Sequence, residues 1–481
     1  MNYRETEILN VNEWWVMFAS RRRDPDRLLP TDPCTRAIAH DLYSMVAEAP
    51  IISPHGHVPA SLLDSDIPFS DAADLFVTKD HYVTRMLHSA GIPAASVGLG
   101  SDAEGPRESW RTLASHWHLF AGTASGYWIE EALDSVFGIT AELGPGTADA
   151  IFDEIGVKLA DPAYHPRALL ERFRIEMLAT TDDPLDDLAH HAALPASEVD
   201  TRILPTFRPD VYLDPHATAF RERVAALLEA TAEPTTFRGY LAALQSRREH
   251  FIRHGAVSTD HGVEELFTVD LERAEAERLF TEVMAGTADA AQRRVFRGHM
   301  LMQMARMSVD DGLVMTIHPG VLRNHSSATL RTLGPDTGHD IPVTTGFTRG
   351  IRPLLERYGL EPGLHIVLFT VDETTYSREI APLAGFYPSL FIGAPWWFLD
   401  APDAITRFRS AVTETAGFYR GAGFIDDTRA FASIPARHDT ARRTDAAFLA
   451  RYVAEGRISL AVAERIAGDL VDAIPRKAFK L

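Results

Sequence analysis

Residues 50–57 read PIISPHGH: a short apolar run, Ile51 and Ile52, leads into two histidines separated by one glycine. It is the first of eight short β-branched or apolar segments bounded by turn residues, the pattern of buried strands. The others are 174–180 (RIEMLAT), 201–207 (TRILPTF), 254–259 (HGAVST), 312–317 (GLVMTI), 364–370 (LHIVLFT), 389–394 (SLFIGA) and 423–427 (GFIDD). Stretches with helical periodicity lie between them, at 217–230, 237–252, 264–282, 290–308, 348–358, 373–385, 402–420 and 444–472. Eightfold alternation of strand and helix predicts an α/β fold with a parallel sheet, most simply a (β/α)8 TIM-type barrel. An open doubly wound sheet would carry a glycine-rich phosphate turn after its first strand, and residues 55–60, HGHVPA, are not one.

Working outward, residues 1–481 read as one barrel domain. Residues 60–170, rich in aromatic and helical pattern, form a mostly helical insertion after the first strand, on the face where barrel active sites lie. Residues 440–481 read as C-terminal helices. Residues 323–348 show no periodicity and follow the fifth strand, which suits a lid.

With 47 Lys and Arg against 67 Asp and Glu, the net charge is −20. The longest basic run is Arg21–Arg23, so a nucleic-acid partner is not expected. No apolar stretch approaches the ~18 residues that span a bilayer. One cysteine, Cys34, and an N-terminus (MNYRETEILN) without a signal-peptide pattern predict a cytoplasmic location. Barrels of this size often associate, so a homo-oligomer is a further expectation.

Barrel chemistry gathers at the carboxyl ends of strands. Those positions hold His55 and His57, then Thr181, Asp182 and Asp183, Arg208, Asp260 and His261, His318, Asp372, Trp396 and Trp397, and Asp427 and Arg429. An Asp or Thr after a strand usually caps the next helix; the convergence of so many polar groups is what points to a site. Period-two alternation puts His55 and His57 on one side of the chain, and Asp427 ends the strand that neighbours the first when a barrel closes. Two imidazoles and a carboxylate suit a divalent metal such as Zn2+, with positions left open. Asp80-His81-Tyr82 reads locally as a capped helix start with Tyr82 and Met86 packed inward, and Asp182-Asp183-Pro184 as a strand end and helix start. Of Trp396 and Trp397, strand alternation would turn one to the mouth and one to the helices.

Together these residues resemble the uronate isomerases (glucuronate isomerase), a branch of the amidohydrolase superfamily. The resemblance covers about 28–475 and rests on LLPTDP (28–33), HGH (55–57), DHYVTRM (80–86), TTDDPLDDL (180–188), LPTFRPD (204–210), STDHG (258–262), IHPGVLRN (317–324), WWF (396–398) and DDTRAF (426–431). It implies the barrel fold and interconversion of D-glucuronate with D-fructuronate and of D-galacturonate with D-tagaturonate. It also implies a metal set His55, His57 and Asp427, an insertion pair His81 and Tyr82, the Asp-x-Arg of Asp427 and Arg429, and the arginine of the TFRPD motif at Arg208. Two departures stand out: Ser53 where the superfamily commonly has Asp, and Gly56 where the family frequently has Cys.

An aldose–ketose shift needs a base near the carbons and charge stabilisation near the oxygens. Asp427 and Tyr82 are the proton-transfer candidates, His81 a relay and Arg429 the enediolate stabiliser. Arg208 suits the substrate carboxylate, with His318, Trp396, Trp397 and Asp182 lining the substrate. A divalent metal, most simply Zn2+, would serve as Lewis acid or positioning group, and an isomerase need not depend on it. The rival readings are a metal-dependent hydrolase of a small acidic amide, ester or lactone, and a barrel that binds an acidic sugar without turning it over.

Overall fold

The computed structural model describes residues 24–194 and 200–481. The N-terminal stretch and the Arg21–Arg23 run lie outside them. The strands are β1 Ile51–Ser53, β2 Ile175–Ala179, β3 Arg202–Leu204, β4 Ser258–Val263, β5 Val314–Pro319, β6 Val321–Leu322, β7 Ile341–Pro342, β8 Ile366–Leu368 and β9 Leu390–Ile392. Two sheets are wholly parallel, in the orders β1-β2-β3 and β4-β5-β8-β9, while β6 and β7 make a small antiparallel ribbon.

All residues of β1, β5, β8 and β9 are buried. That is why these runs are apolar without alternation: one face, with Met315, Ile317, Ile366, Leu368, Leu390 and Ile392, joins the core shared with the helices, and the other, with Val314, Val367, Phe369 and Phe391, lies in a second apolar cluster. Isolated parallel bridges from Asp182 to Phe207 and from Phe207 to Thr259 link the two sheets, and another joins Ile392 to Gly421. At the far end His57 N donates to Thr428 O at 3.1 Å, setting the segment after Gly421 beside the chain that leaves β1.

Six α-helices run between β1 and β2: Ala60–Ser65, His81–Ser89, Pro106–Ser115, Ala124–Ser135, Ala148–Leu159 and Pro166–Arg172. They share an apolar core with Ile51, Ile175 and Leu178 of β1 and β2. Trp110 is fully buried there and donates its indole N–H to Ala148 O at 2.9 Å, so its one polar atom is satisfied. At the other end of the chain, helices Ile434–Ala454, Leu460–Val471 and Ala473–Phe479 pack with helix Pro33–Val46. The first of these starts before the expected 440. Among the described residues no helix is long and apolar enough to cross a membrane.

Three expectations are corrected. Residues 423–427 form no ladder, because Gly423 (φ 77°) and Asp427 (φ 43°) take left-handed backbone that a strand cannot contain. The fourth strand begins at Ser258 rather than 254, since helix Phe237–Arg253 runs on to a turn at Gly255 (φ 91°). Residues 323–348 are structured: helix Ser327–Leu333, capped by Ser326 Oγ on Thr329 N, precedes β7 and the start of the next helix at Phe347.

Candidate active site

Beyond the carboxyl ends of these strands lies a cavity of about 320 Å³. His57, His81, Tyr82, Arg208, Trp396, Trp397, Asp427 and Arg429 all line it, so the structure gathers eight of the predicted residues from five distant segments. His55 and His318 are not in the lining, although His318 was expected to line the substrate; their rings stack 4.8 Å apart beside Asp427, with His55 Nε2 3.4 Å from its Oδ1. Asp182 is not in the lining: it accepts from Thr180 Oγ1 (2.6 Å) and Thr206 N (3.3 Å), and its main-chain oxygen accepts from Arg208 N at 3.0 Å. Burial pushes its carboxyl up to about 6. It fastens the strand end that carries Arg208.

The cluster centres on Asp427. Its Oδ1 lies 3.1 Å from His57 Nε2 and 3.4 Å from His55 Nε2. Burial would raise this carboxyl, but His55 and His57 outweigh it and hold Asp427 well below the usual carboxylate range. Burial itself pushes His57 down to about 4, so it is neutral at pH 7. One ligand atom each from His55, His318 and Asp427 lie within 4.8 Å of one another. Both ring nitrogens of His55, Nε2 of His318 and Oδ1 of Asp427 are buried without a hydrogen bond.

Buried polar atoms of that kind call for an occupant, and imidazole nitrogens with a carboxylate oxygen form a donor set that fits a divalent metal. His318 Nδ1 is 2.7 Å from Asp260 Oδ1, which assigns the proton to Nδ1 and leaves the Nε2 lone pair free. Asp260 continues to Arg208, whose Nη1 is 3.4 Å from its Oδ2, and Arg208 Nε donates to Asp210 Oδ2 at 3.0 Å.

Across the cavity Asp80 caps helix His81–Ser89 through Tyr82 N (2.9 Å), as the sequence pattern suggests. Tyr82 does not simply pack inward: its hydroxyl donates to Asp400 Oδ2 at 3.1 Å and accepts from Phe398 N at 3.3 Å. Burial, reinforced by Asp400, raises its pKa well above 10. His81 stacks on Tyr82 at 5.1 Å, and burial lowers its pKa.

Both Trp396 and Trp397 face the cavity. Period-two alternation fails here because Trp397 (φ 28°) and Phe398 (φ 69°) leave extended geometry.

Four arginines, 208, 323, 429 and 437, line this cavity of a protein whose net charge is −20. Arg429 pairs with Asp336 (3.1 Å), Arg323 with Asp340 (2.8 Å) and Arg437 with Asp400 (3.0 Å). Sequence reasoning missed Arg323, Arg437, Asp336, Asp340 and Asp400. Only Arg323 carried a signal, as the arginine of IHPGVLRN.

Residues 323–342 form one wall of the cavity. Gly338 (φ 92°) approaches helix His81–Ser89 so closely that a Cβ there would lie 2.8 Å from Arg85 Cβ.

Fold and site together define a class: a parallel α/β enzyme with a histidine–carboxylate centre at the carboxyl ends of its strands. A family model described as glucuronate isomerase matches residues 33–477. A uronate isomerase of Corynebacterium efficiens is 50% identical over 469 residues, 97% of this chain and 100% of that protein. Among solved structures, the glucuronate isomerase of Caulobacter crescentus superposes with a TM-score of 0.93 at 47% identity, covering 95% of this chain and 96% of that one. The uronate isomerase of Thermotoga maritima does so with a TM-score of 0.90 at 28% identity, covering 95% and 99%. The chain belongs to the glucuronate isomerase family.

Proposed function

We propose that this protein interconverts D-glucuronate with D-fructuronate and D-galacturonate with D-tagaturonate, moving a proton between C2 and C1 through a cis-enediol. The observation that carries the reading is a charge division across one cavity: an ionised carboxylate at Asp427, a protonated phenol at Tyr82 and an arginine-rich wall.

Asp427 accepts the proton from carbon, since it is held ionised. Tyr82 is the acid, since its hydroxyl stays protonated at neutral pH. His81, neutral and stacked on Tyr82, relays protons between the substrate oxygens. Arg429 stabilises charge on the enediolate, and Arg208 holds the substrate carboxylate. Trp396 and Trp397 shield the sugar from water.

A divalent metal, most simply Zn2+, would be held by His55, His318 and Asp427, whose ligand atoms lie within 4.8 Å of one another, with His57, expected as a ligand from the sequence, adjoining through Asp427 Oδ1. When bound it supplies a Lewis acid that polarises a substrate oxygen.

The fold reads as a closed (β/α)8 barrel. Support comes from the bridges that join the two parallel sheets and from the His57–Thr428 hydrogen bond where the last segment meets the first. The helices between β1 and β2 are then an insertion over the active-site face, contributing His81 and Tyr82. A metal-dependent hydrolase is the lesser reading, as the relatives at about half identity are named uronate isomerases.

The testing experiment is a proton NMR time course of the purified protein with D-glucuronate and D-galacturonate in D2O, with and without chelator pretreatment. Ketose resonances and deuterium at C2 of recovered aldose are expected; no change with either sugar rejects the reading. For Arg208→Met, loss of a charge-assisted bidentate contact worth about 1.5–3 kcal/mol predicts a KM rise of about 10- to 150-fold. Arg208→Lys, which keeps the charge but not the fork, should fall between. An unchanged KM for the methionine variant would place the carboxylate elsewhere.

A further inference from the structure

Asp427 stands at φ 43°, a left-handed conformation that Asp adopts more readily than most non-glycine residues, and here contacts on both sides fix it. After Asp427, Thr428 O accepts from His57 N at 3.1 Å. Before it, Asp426 is held twice by helix Ile434–Ala454: its main-chain oxygen accepts from Arg437 Nη1 at 3.3 Å, and its side-chain Oδ2 accepts from His438 Nε2 at 3.0 Å.

Asp426 is 3% exposed and His438 6%, so this bond is made out of water, and neither residue lines the cavity. The other carboxylate oxygen, Oδ1, is buried without a hydrogen bond, 3.8 Å from where a Cβ on Gly56 would stand. The Asp426 carboxylate therefore sits between the long helix and the turn that carries His55 and His57.

We propose that Asp426 and His438 are positioning residues that hold Asp427 in its left-handed conformation, aiming its Oδ1 at His55 and His57. Neither residue reaches the substrate; they act through the backbone of Asp427. The proposal rests on the role given to Asp427 above, and its test is chosen to separate the two.

The test uses full-length His438→Ala, His438→Gln and Asp426→Ala, measuring kcat, KM, zinc affinity by chelator competition, and the Tm of metal-depleted protein. Both alanine variants are expected to lose about 10- to 100-fold in zinc affinity and in kcat, as partners behind a metal site do, with KM changing less than about threefold. His438→Gln keeps an amide N–H near the place of Nε2, and is expected to restore both quantities to within about threefold of the unmodified protein. Because the pair acts as a unit, the double alanine variant should be no worse than either single one. Should His438→Ala not fold, His438→Asn replaces it: its amide falls one bond short of Asp426, and it should show the same loss.

Unmodified zinc affinity and kcat in the alanine variants would overturn the proposal. So would a glutamine variant as impaired as alanine, or losses that track a fall in the Tm of the metal-depleted protein alone. If the unmodified protein turns over neither uronate, the functional reading fails, while the zinc affinities still decide the positioning role.

Discussion

Asp427→Asn is expected to lower kcat by about 10²- to 10⁴-fold, the range for removing a positioned general base. Asparagine cannot accept the proton, and it withdraws the charge that faces His55 and His57. The fold should survive for a specific reason. Asn and Asp are the non-glycine residues that best tolerate the left-handed region, so the φ of 43° is preserved at no new cost. Steady-state kinetics beside a far-UV circular dichroism melt checks both halves of the expectation. Near-normal turnover by a folded Asn variant would remove Asp427 from proton transfer.

The second large effect is expected from Tyr82→Phe. The ring contacts with Trp128 and Phe398 remain, and Asp400 keeps its ion pair with Arg437, so only the hydroxyl is lost. A kcat fall of about 10²- to 10⁴-fold is expected, because among the described residues no other phenol lines the cavity to return the proton to oxygen. KM should move little, since the phenol contributes to the transition state rather than to holding the carboxylate. A Phe variant with full turnover would pass the acid role to another group, with His81 the nearest candidate.

Much of this site is written locally. His55-Gly56-His57, Asp80-His81-Tyr82 and Asp427-Thr428-Arg429 each place a reactive pair within three residues, and each reaches the cavity wall or floor. Apolar runs such as 314–317 announce their strands because both faces are buried.

What was illegible follows from tertiary terms. Asp400 and Arg437 are a buried ion pair between distant segments, each unremarkable in its own sequence neighbourhood. β4 is polar for a strand whose first four residues are buried, STDHGV, because each polar side chain has a partner: Asp260 meets His318 and Arg208, His261 Nδ1 lies 2.9 Å from Thr316 O, Thr259 Oγ1 donates to Val314 O and Ser258 Oγ lies 3.4 Å from Thr206 Oγ1. The alternation rule misplaced the tryptophans, and periodicity missed the short elements in 323–348, because left-handed turns and two-residue strands leave no period to read. Asp182 misled in the opposite direction: its position after a strand suggested that it lines the substrate, whereas it lies outside the lining and its carboxylate accepts from Thr180 and Thr206.

The histidine–carboxylate centre draws on residues 55, 318 and 427, spread over most of the chain's length. For synthesis, this means that a ribosome releasing the chain from its N-terminus has exposed His55 long before Asp427 exists. The helix that braces Asp426, Ile434–Ala454, follows later still. Closing loops of such length is an early entropic cost that only the finished packing offsets. Capture of a metal by all three residues is therefore confined to the completed fold, and chains truncated before residue 427 lack the carboxylate that would hold it.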